Sequence, residues 1–331
     1  MRRTIKILFL IIISYLNLSC NRTIFEYPDD NPIDPTSVNV ELKLILNIEA
    51  YISSGILSRS GSSDTPIRYI TEIYEVENLE TPILRDIQLI KSDDEVPTLV
   101  ANYKLHARKY KILVWTDFVE PGGLADKYYQ TQDLKAITYS EPYQGNIEFK
   151  SANYANLDID LTSYIDQWNV VIKKDVELHK PFGKFQIIAT DVDKFIAEQL
   201  SKSGTKANIE DYKVKVSYLG YLPWGFDVLK GKPNRSIQGV SYYSEIKQIS
   251  ATEGSLTFDY VFDNGEESGV NVLLQIYDPK GVLVQEINNI SIPIRRGELT
   301  VVKDDFLTED MSPGIGIDPE FDGEINITIP D

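Results

Sequence analysis

The sequence predicts an all-β fold: two tandem antiparallel β-sandwiches with one or two short helices. Three observations predict it. Apolar residues recur with period two in many short runs, the runs are bounded by Gly, Pro, Asn and Asp, and one stretch alone has persuasive helical spacing. At 331 residues the chain is long enough to bury two cores.

The first run begins at Val38. Val38, Val40, Leu42, Leu44 and Leu46 share one parity, and Asn39, Glu41, Lys43 and Asn47 fill the other, the pattern of a half-buried strand. Similar runs follow at 69–76, 83–90, 110–115, 146–149 and 170–178, and then at 185–189, 212–219, 255–262, 270–277, 283–292, 299–302 and 325–329. Asp263-Asn264-Gly265 and Pro279-Lys280-Gly281 separate consecutive runs with residues that tolerate positive φ or preset a turn, which predicts two hairpins. The helix is expected at 192–201, where Val192, Phe195, Ile196 and Leu200 follow Asp191 as N-cap, with a shorter helical turn at 133–137. So few helices between strands argue against βαβ units and parallel sheet. Pro181 and Gly183 interrupt the pattern and put the boundary near Val176, which gives domains 38–175 and 176–331.

The first residues have a different purpose. Arg2, Arg3 and Lys6 precede an apolar run at 7–16, which as a helix would span about 15 Å, half the hydrocarbon thickness of a bilayer. Residues 1–19 therefore read as a secretory signal. Cys20, the chain's single cysteine, follows small Ser19 where a bacterial lipoprotein signal places its acylated residue, although Asn17 stands where that signal usually has Leu. Cys20 is expected to be the lipidated N-terminus of the mature chain, the alternative being an ordinary signal with an incidental thiol. Residues 20–37, with Pro28, Asp29, Asp30, Pro32, Asp34 and Pro35, read as an acidic Pro-rich linker.

Thirty-three basic against 50 acidic side chains give a net charge of −17, and removing residues 1–19 takes away three positive charges to leave −20. Such a chain repels nucleic acid phosphates, so no nucleic acid partner is expected. Two His and one Cys are too few for a Cys/His zinc site and supply few general bases. His106 and His179 lie in no nucleophile motif. Asp158 with Asp160 and Asp191 with Asp193 are pairs that 50 acids produce by chance, Asp93-Asp94-Glu95 and Asp304-Asp305 lack the EF-hand pattern, and Gly122-Gly123 and 314–318 lack the setting of a phosphate loop. No catalytic residue, metal ligand or cofactor is assigned, and the chain is not expected to be an enzyme. Trp115 and Trp224 lie on or beside apolar strands and are expected in the core. Twenty Tyr keep a second reading open, a surface glycan-binding lipoprotein, which requires a row of coplanar exposed rings.

The segments "YKILVWTDFV" at 110–119, "LHKPFGKFQIIATDVDKF" at 178–195, "VSYLGYLPWGFDVLKGKP" at 216–233, "ISIPIRRGELTVV" at 290–302 and "GIGIDPEFDGEINI" at 314–327 together resemble the fimbrillin-like lipoproteins, the type V pilus subunits and their relatives. The resemblance covers most of the mature chain in order. It implies tandem transthyretin-like, Greek-key sandwiches, export to the outer membrane and cell surface, and a role as a structural or accessory fimbrial subunit that supports adhesion. The implied partners are other fimbrial subunits or further copies of the chain, the outer membrane through the lipid, and a host or bacterial surface ligand. In assembling members an Arg-specific protease removes the first strand, and a C-terminal strand from the next subunit fills the groove. Arg59, in the "SRSGSS" loop after the first strand, is the processing candidate, with Arg68 second; either is otherwise a solvated loop charge. Ile325, Ile327 and Ile329 alternate with Asn326 and Thr328 as a candidate donor strand, or else as a last strand paired within its own sandwich.

Overall fold

The computed structural model describes residues 40–48, 65–90, 98–204, 207–263 and 268–308. The expected Cys20, Arg59, Ile325, Ile327 and Ile329 lie outside the described residues, as do the signal and the linker. The described chain is all-β, with five small sheets in packed layers and one α-helix among the described residues.

The first half is a sandwich of two sheets. In the first sheet β1 (Val40–Ile48) lies between β4 (Thr98–Leu105), to which it is antiparallel, and β9 (Val170–Leu178), to which it is parallel. The second sheet orders β3 (Leu84–Ile90), β2 (Ile67–Glu75), β5 (Lys109–Phe118) and β8 (Asn153–Asp160), all antiparallel. Leu42, Leu44 and Leu46 pack with Tyr69, Ile73, Ile112 and Val114 in the core between them. β2 and β5 are buried along nearly their whole length because the second sheet is covered on both faces. Its other face sends Ile70, Leu113 and Trp115 into a second core shared with the rest of the chain.

That second core holds three sheets. The third joins β6 (Tyr129–Gln130) and β7 (Ile137–Tyr139) from the first half to β12 (Leu222–Asp227) and β13 (Lys232–Ile237) from the second, through the pairs Gly225 with Thr138 and Phe226 with Ile137. The fourth orders β15 (Lys247–Gln248), β16 (Gly254–Phe262), β10 (Phe182–Ala189) and β19 (Leu299–Asp304). The fifth orders β14 (Ser241–Glu245), β11 (Lys213–Tyr218), β17 (Ser268–Tyr277) and β18 (Leu283–Ile294).

Both halves contain a parallel pair, contrary to the purely antiparallel expectation. The first described strand of each, β1 or β10, runs antiparallel to one neighbour and parallel to the last described strand of its own half, β9 or β19. No crossover helix is needed, because many intervening strands carry the chain back to the starting end. The expected limit at 175/176 falls inside β9, and residues 179–181 connect β9 to β10. Gly183 is part of β10 rather than a break: a Cβ there would lie 2.4 Å from the Arg295 carbonyl oxygen, so only glycine allows that approach.

Other expectations change for local reasons. Residues 146–149 do not form a strand: Asn146 takes φ of 56° and Glu148–Lys150 coil into a 3₁₀ turn. Asp263 does not open a hairpin, since β16 and β17 belong to different sheets, whereas Pro279-Lys280-Gly281 does join the antiparallel pair β17 and β18. The helix α1 (Val192–Ser203) forms as expected, turns Phe195 onto Tyr212 and ends at Gly204 with φ of 68°. Asp191 stands at the N-cap position as expected, but its side chain makes no bond to the first turn. Its buried carboxylate instead accepts hydrogen bonds from the backbone N–H of Leu307 and Thr308 and from the Thr308 hydroxyl, at 2.7–3.0 Å to Oδ2.

Candidate functional site

The alternation at the start of the chain builds the site. Val40, Leu42, Leu44, Leu46 and Ile48 of β1 all point into the first core and are no more than 2% exposed, while Glu41, Lys43, Ile45 and Asn47 lie on the outer face. Full burial of such a side chain contributes about 1.5–3 kcal/mol. Eight residue pairs join β1 to β4 and nine join it to β9. β1 is therefore the middle strand of its sheet, and withdrawing it would bare two strand edges and an apolar floor that includes Tyr69, Ile112 and Val114.

The free edge of β9 is guarded differently. Lys173, Lys174 and Asp175 are exposed at its middle, and Lys174 shares the inward parity of Ile172 and Val176. A charge on that parity deters a further strand from pairing there. The slot held by β1 has no such guard among its inward residues.

Arg68 is not a loop cation. It lies in β2 directly opposite Asp117 of β5, is 2% exposed, and grips that carboxylate with Nε and Nη2 at 2.8 and 2.7 Å. Nη1 donates to the Leu124 carbonyl at 2.7 Å, and Nη2 lies 2.9 Å from Asp126 Oδ1. A protease cannot draw this residue into an extended active-site conformation without unzipping β2 from two neighbours. Beside it Glu72 pairs with Arg85 and accepts a hydrogen bond from Tyr74 at 2.6 Å.

The remaining residues singled out in the sequence stay apart. Asp158 and Asp160 face Lys111 and Lys109 across β8 and β5 as solvated ion pairs. Asp305 pairs with Lys194, and Gly122 and Gly123 form a turn. His106 and His179 stand apart, His106 just before the Lys109–Asp160 end of the β5–β8 ladder and His179 bridged to Tyr154 beside its Thr116–Asn153 end. Among the described residues no group of three or more His, Cys, Asp or Glu is placed to hold a metal ion. Trp115 and Trp224 are in the core, Trp115 edge-on to Tyr129 at 5.3 Å. Among the described residues the exposed rings Trp168, Tyr221 and Tyr243 come from three separate segments, and Tyr243 meets half-buried Tyr277 at a 55° tilt, not as a coplanar pair.

Sequence reasoning missed a buried polar cluster in the second core. Asp259, alone among apolar neighbours in β16, binds Lys150 Nζ at 2.7 Å, and both are at most 2% exposed. A single carboxylate inside "GSLTFDYVF" is the signal that could have revealed it; Lys150 gives none.

These features sit in a chain whose residues 34–330 match one family. The chain belongs to the family of unknown function DUF6562. No curated protein matches this DUF6562 chain. Among solved structures it is similar to a candidate adhesin from Bacteroides ovatus, with 11% identity over 76% of this chain and 80% of that one and a TM-score of 0.42. It is similar also to the tip fimbrial protein Mfa3 of Porphyromonas gingivalis, with 10% identity over 80% and 94% of the two chains and a TM-score of 0.40. The fimbrial anchor protein Mfa2 of the same organism matches with 12% identity over 75% and 82%, at a TM-score of 0.39. No helix among the described residues is long and apolar enough to cross a membrane.

Proposed function

We propose that this protein is a surface lipoprotein that acts as a structural or accessory fimbrial subunit, assembling by strand exchange at the slot of β1 and supporting adhesion. The observation that carries the reading is the place of β1: the first described strand, inserted between β4 and β9, with every inward side chain apolar. It is the one strand of that sheet that a single cut in the following segment, at Arg59, would free while leaving the rest of the sandwich continuous. An incoming strand with alternating large apolar residues restores both what the backbone and what the core lose, and the run Ile325, Ile327, Ile329 has that pattern. Acylation at Cys20 would tether the uncut chain, with several acyl chains exceeding the marginal hold of one.

Limited digestion of the purified chain with an Arg-specific protease, with the new N-terminus sequenced, tests the exchange. Cutting after Arg59 is expected to yield a ladder of oligomers on native gels, and replacing Ile327 by Asp is expected to abolish it. Persistent monomers after a confirmed cut would sink the reading. The anchor is tested separately by Cys20→Ala, which is expected to move the protein from the membrane to the soluble fraction.

A further inference from the structure

The Lys150 and Asp259 side chains meet inside the second core, each at most 2% exposed. Lys150 comes from the 3₁₀ turn before β8, and Asp259 from the middle of β16, 109 residues later. The ammonium donates to Asp259 Oδ1 at 2.7 Å and to the Tyr143 hydroxyl at 2.8 Å, and it lies over the rings of Tyr143 and Tyr139 at 3.9 and 4.6 Å. Oδ1 also accepts the backbone N–H of Tyr260 at 2.8 Å. Oδ2 accepts two phenol hydrogen bonds, from Tyr143 at 2.7 Å and Tyr218 at 2.8 Å. As a plain ion pair, this arrangement pays a heavy desolvation cost that apolar side chains of similar volume would avoid.

From this geometry we infer that Lys150 and Asp259 condense to an intramolecular isopeptide bond. The amine and carboxyl are already held in contact, which replaces a bimolecular encounter by an intramolecular one with effective molarities of about 10⁵–10⁸ M in favourable cases. Lys150 Nζ passes one proton to Oδ1, giving a neutral amine beside a neutral acid. The nitrogen lone pair attacks Cγ, the C–N bond forms, and the negative charge that develops on Oδ2 falls where the Tyr143 and Tyr218 hydroxyls already point. A second proton moves from nitrogen to Oδ1, the Cγ–Oδ1 bond breaks, and water leaves. The amide keeps one hydrogen on nitrogen and Oδ2 as its carbonyl oxygen, so no oxidant or cofactor is consumed.

Three surroundings favour the step. Burial pushes the Lys150 ammonium down from its ordinary value, against the pull of Asp259, and so favours the neutral nucleophile. Burial holds Tyr143 and Tyr218 well above the usual phenol range, so both remain donors. A crevice of about 10 Å³ bounded by Tyr139, Pro142, Tyr143 and Lys150 has room for the one water expelled.

Peptide mapping of the full chain, denatured and digested with trypsin, tests the bond independently of how the N-terminus is processed. The linear peptide ending at Lys150 is expected to be absent, because trypsin does not cut after an acylated lysine; in its place a branch joins peptide 136–173, through Lys150, to the one containing Asp259, lighter than the sum of those two by one water. Asp259→Asn is expected to give the same branch with loss of ammonia in place of water, from the matching wild-type or variant sequence. Lys150→Met is expected to release the Asp259 peptide in linear form. Recovery of both linear peptides at full mass from the folded wild-type chain would overturn the inference, whatever the variants do.

Discussion

Arg68 and Asp117 face each other across β2 and β5 in a two-pronged ion pair, with both donor distances at 2.7–2.8 Å and both side chains at most 2% exposed. Removing one partner leaves a charge buried without its counterion, which costs about 3–5 kcal/mol. Arg68→Met is expected to lower stability by that amount in urea unfolding, whereas Arg68→Met combined with Asp117→Leu recovers much of it. An Arg-specific protease is expected to leave the bond after Arg68 intact in the folded chain, as mass analysis of the fragments will show.

Leu44 is at the centre of β1, fully buried and paired with Ala101 on one side and Lys174 on the other. Leu44→Ala removes contacts and leaves a cavity, and a loss of about 2–5 kcal/mol is expected by chemical denaturation. Glu41→Ala on the outer face of the same strand is expected to change stability by less than about 0.5 kcal/mol.

Gly183 has no room for a methyl group because the Arg295 carbonyl and Ile294 side chain crowd it at 2.4 and 2.9 Å. Gly183→Ala is expected to cost about 1–3 kcal/mol through overpacking. Gly220→Ala, at a position with open space, is the control and is expected to be nearly neutral.

Asp191 fastens the end of the described chain, accepting from Leu307 and Thr308. Asp191→Ala leaves those buried donors unsatisfied at a cost of about 1–3 kcal/mol. Hydrogen exchange at the Leu307 and Thr308 amides is expected to accelerate, and unchanged protection there would contradict the assignment.

Buried tyrosines give the fold an alkaline limit. Burial holds Tyr69, Tyr103, Tyr139, Tyr143, Tyr218 and Tyr242 above the ordinary phenol value of 10. Above pH 10 the unfolded chain sheds protons that the folded chain keeps, so stability falls as pH rises past that value and is unaffected by these groups below it. Tyrosinate absorbance is expected to rise in one step that coincides with loss of β-sheet circular dichroism.

Strands with strict alternation were legible. β1 follows Val40, Leu42, Leu44 and Leu46, and β9 spans Val170–Leu178 as its pattern predicts. What the sequence does not carry is partnership. Nothing local tells β1 that β9, more than 100 residues on, will lie beside it in parallel, because register comes from how two faces pack and not from either strand alone. β6 and β7, of two and three residues, are too short for any periodicity, and β12 is buried on both faces through Trp224, Gly225 and Phe226, so alternation disappears. Arg68 looked like a loop cation because its charge hid the strand around it, and Lys150 looked like any lysine until the fold brought Asp259 to it.

The third sheet takes two strands from each half and knits them edge to edge through β7 and β12. Away from that seam Arg296 adds a second tie between the halves, donating to the Tyr154 hydroxyl of β8 and to the Gly231 carbonyl between β12 and β13. The two halves are therefore joined by paired strands as well as by the connecting chain, so tension applied to one is resisted by the rungs of that seam before it reaches that connection.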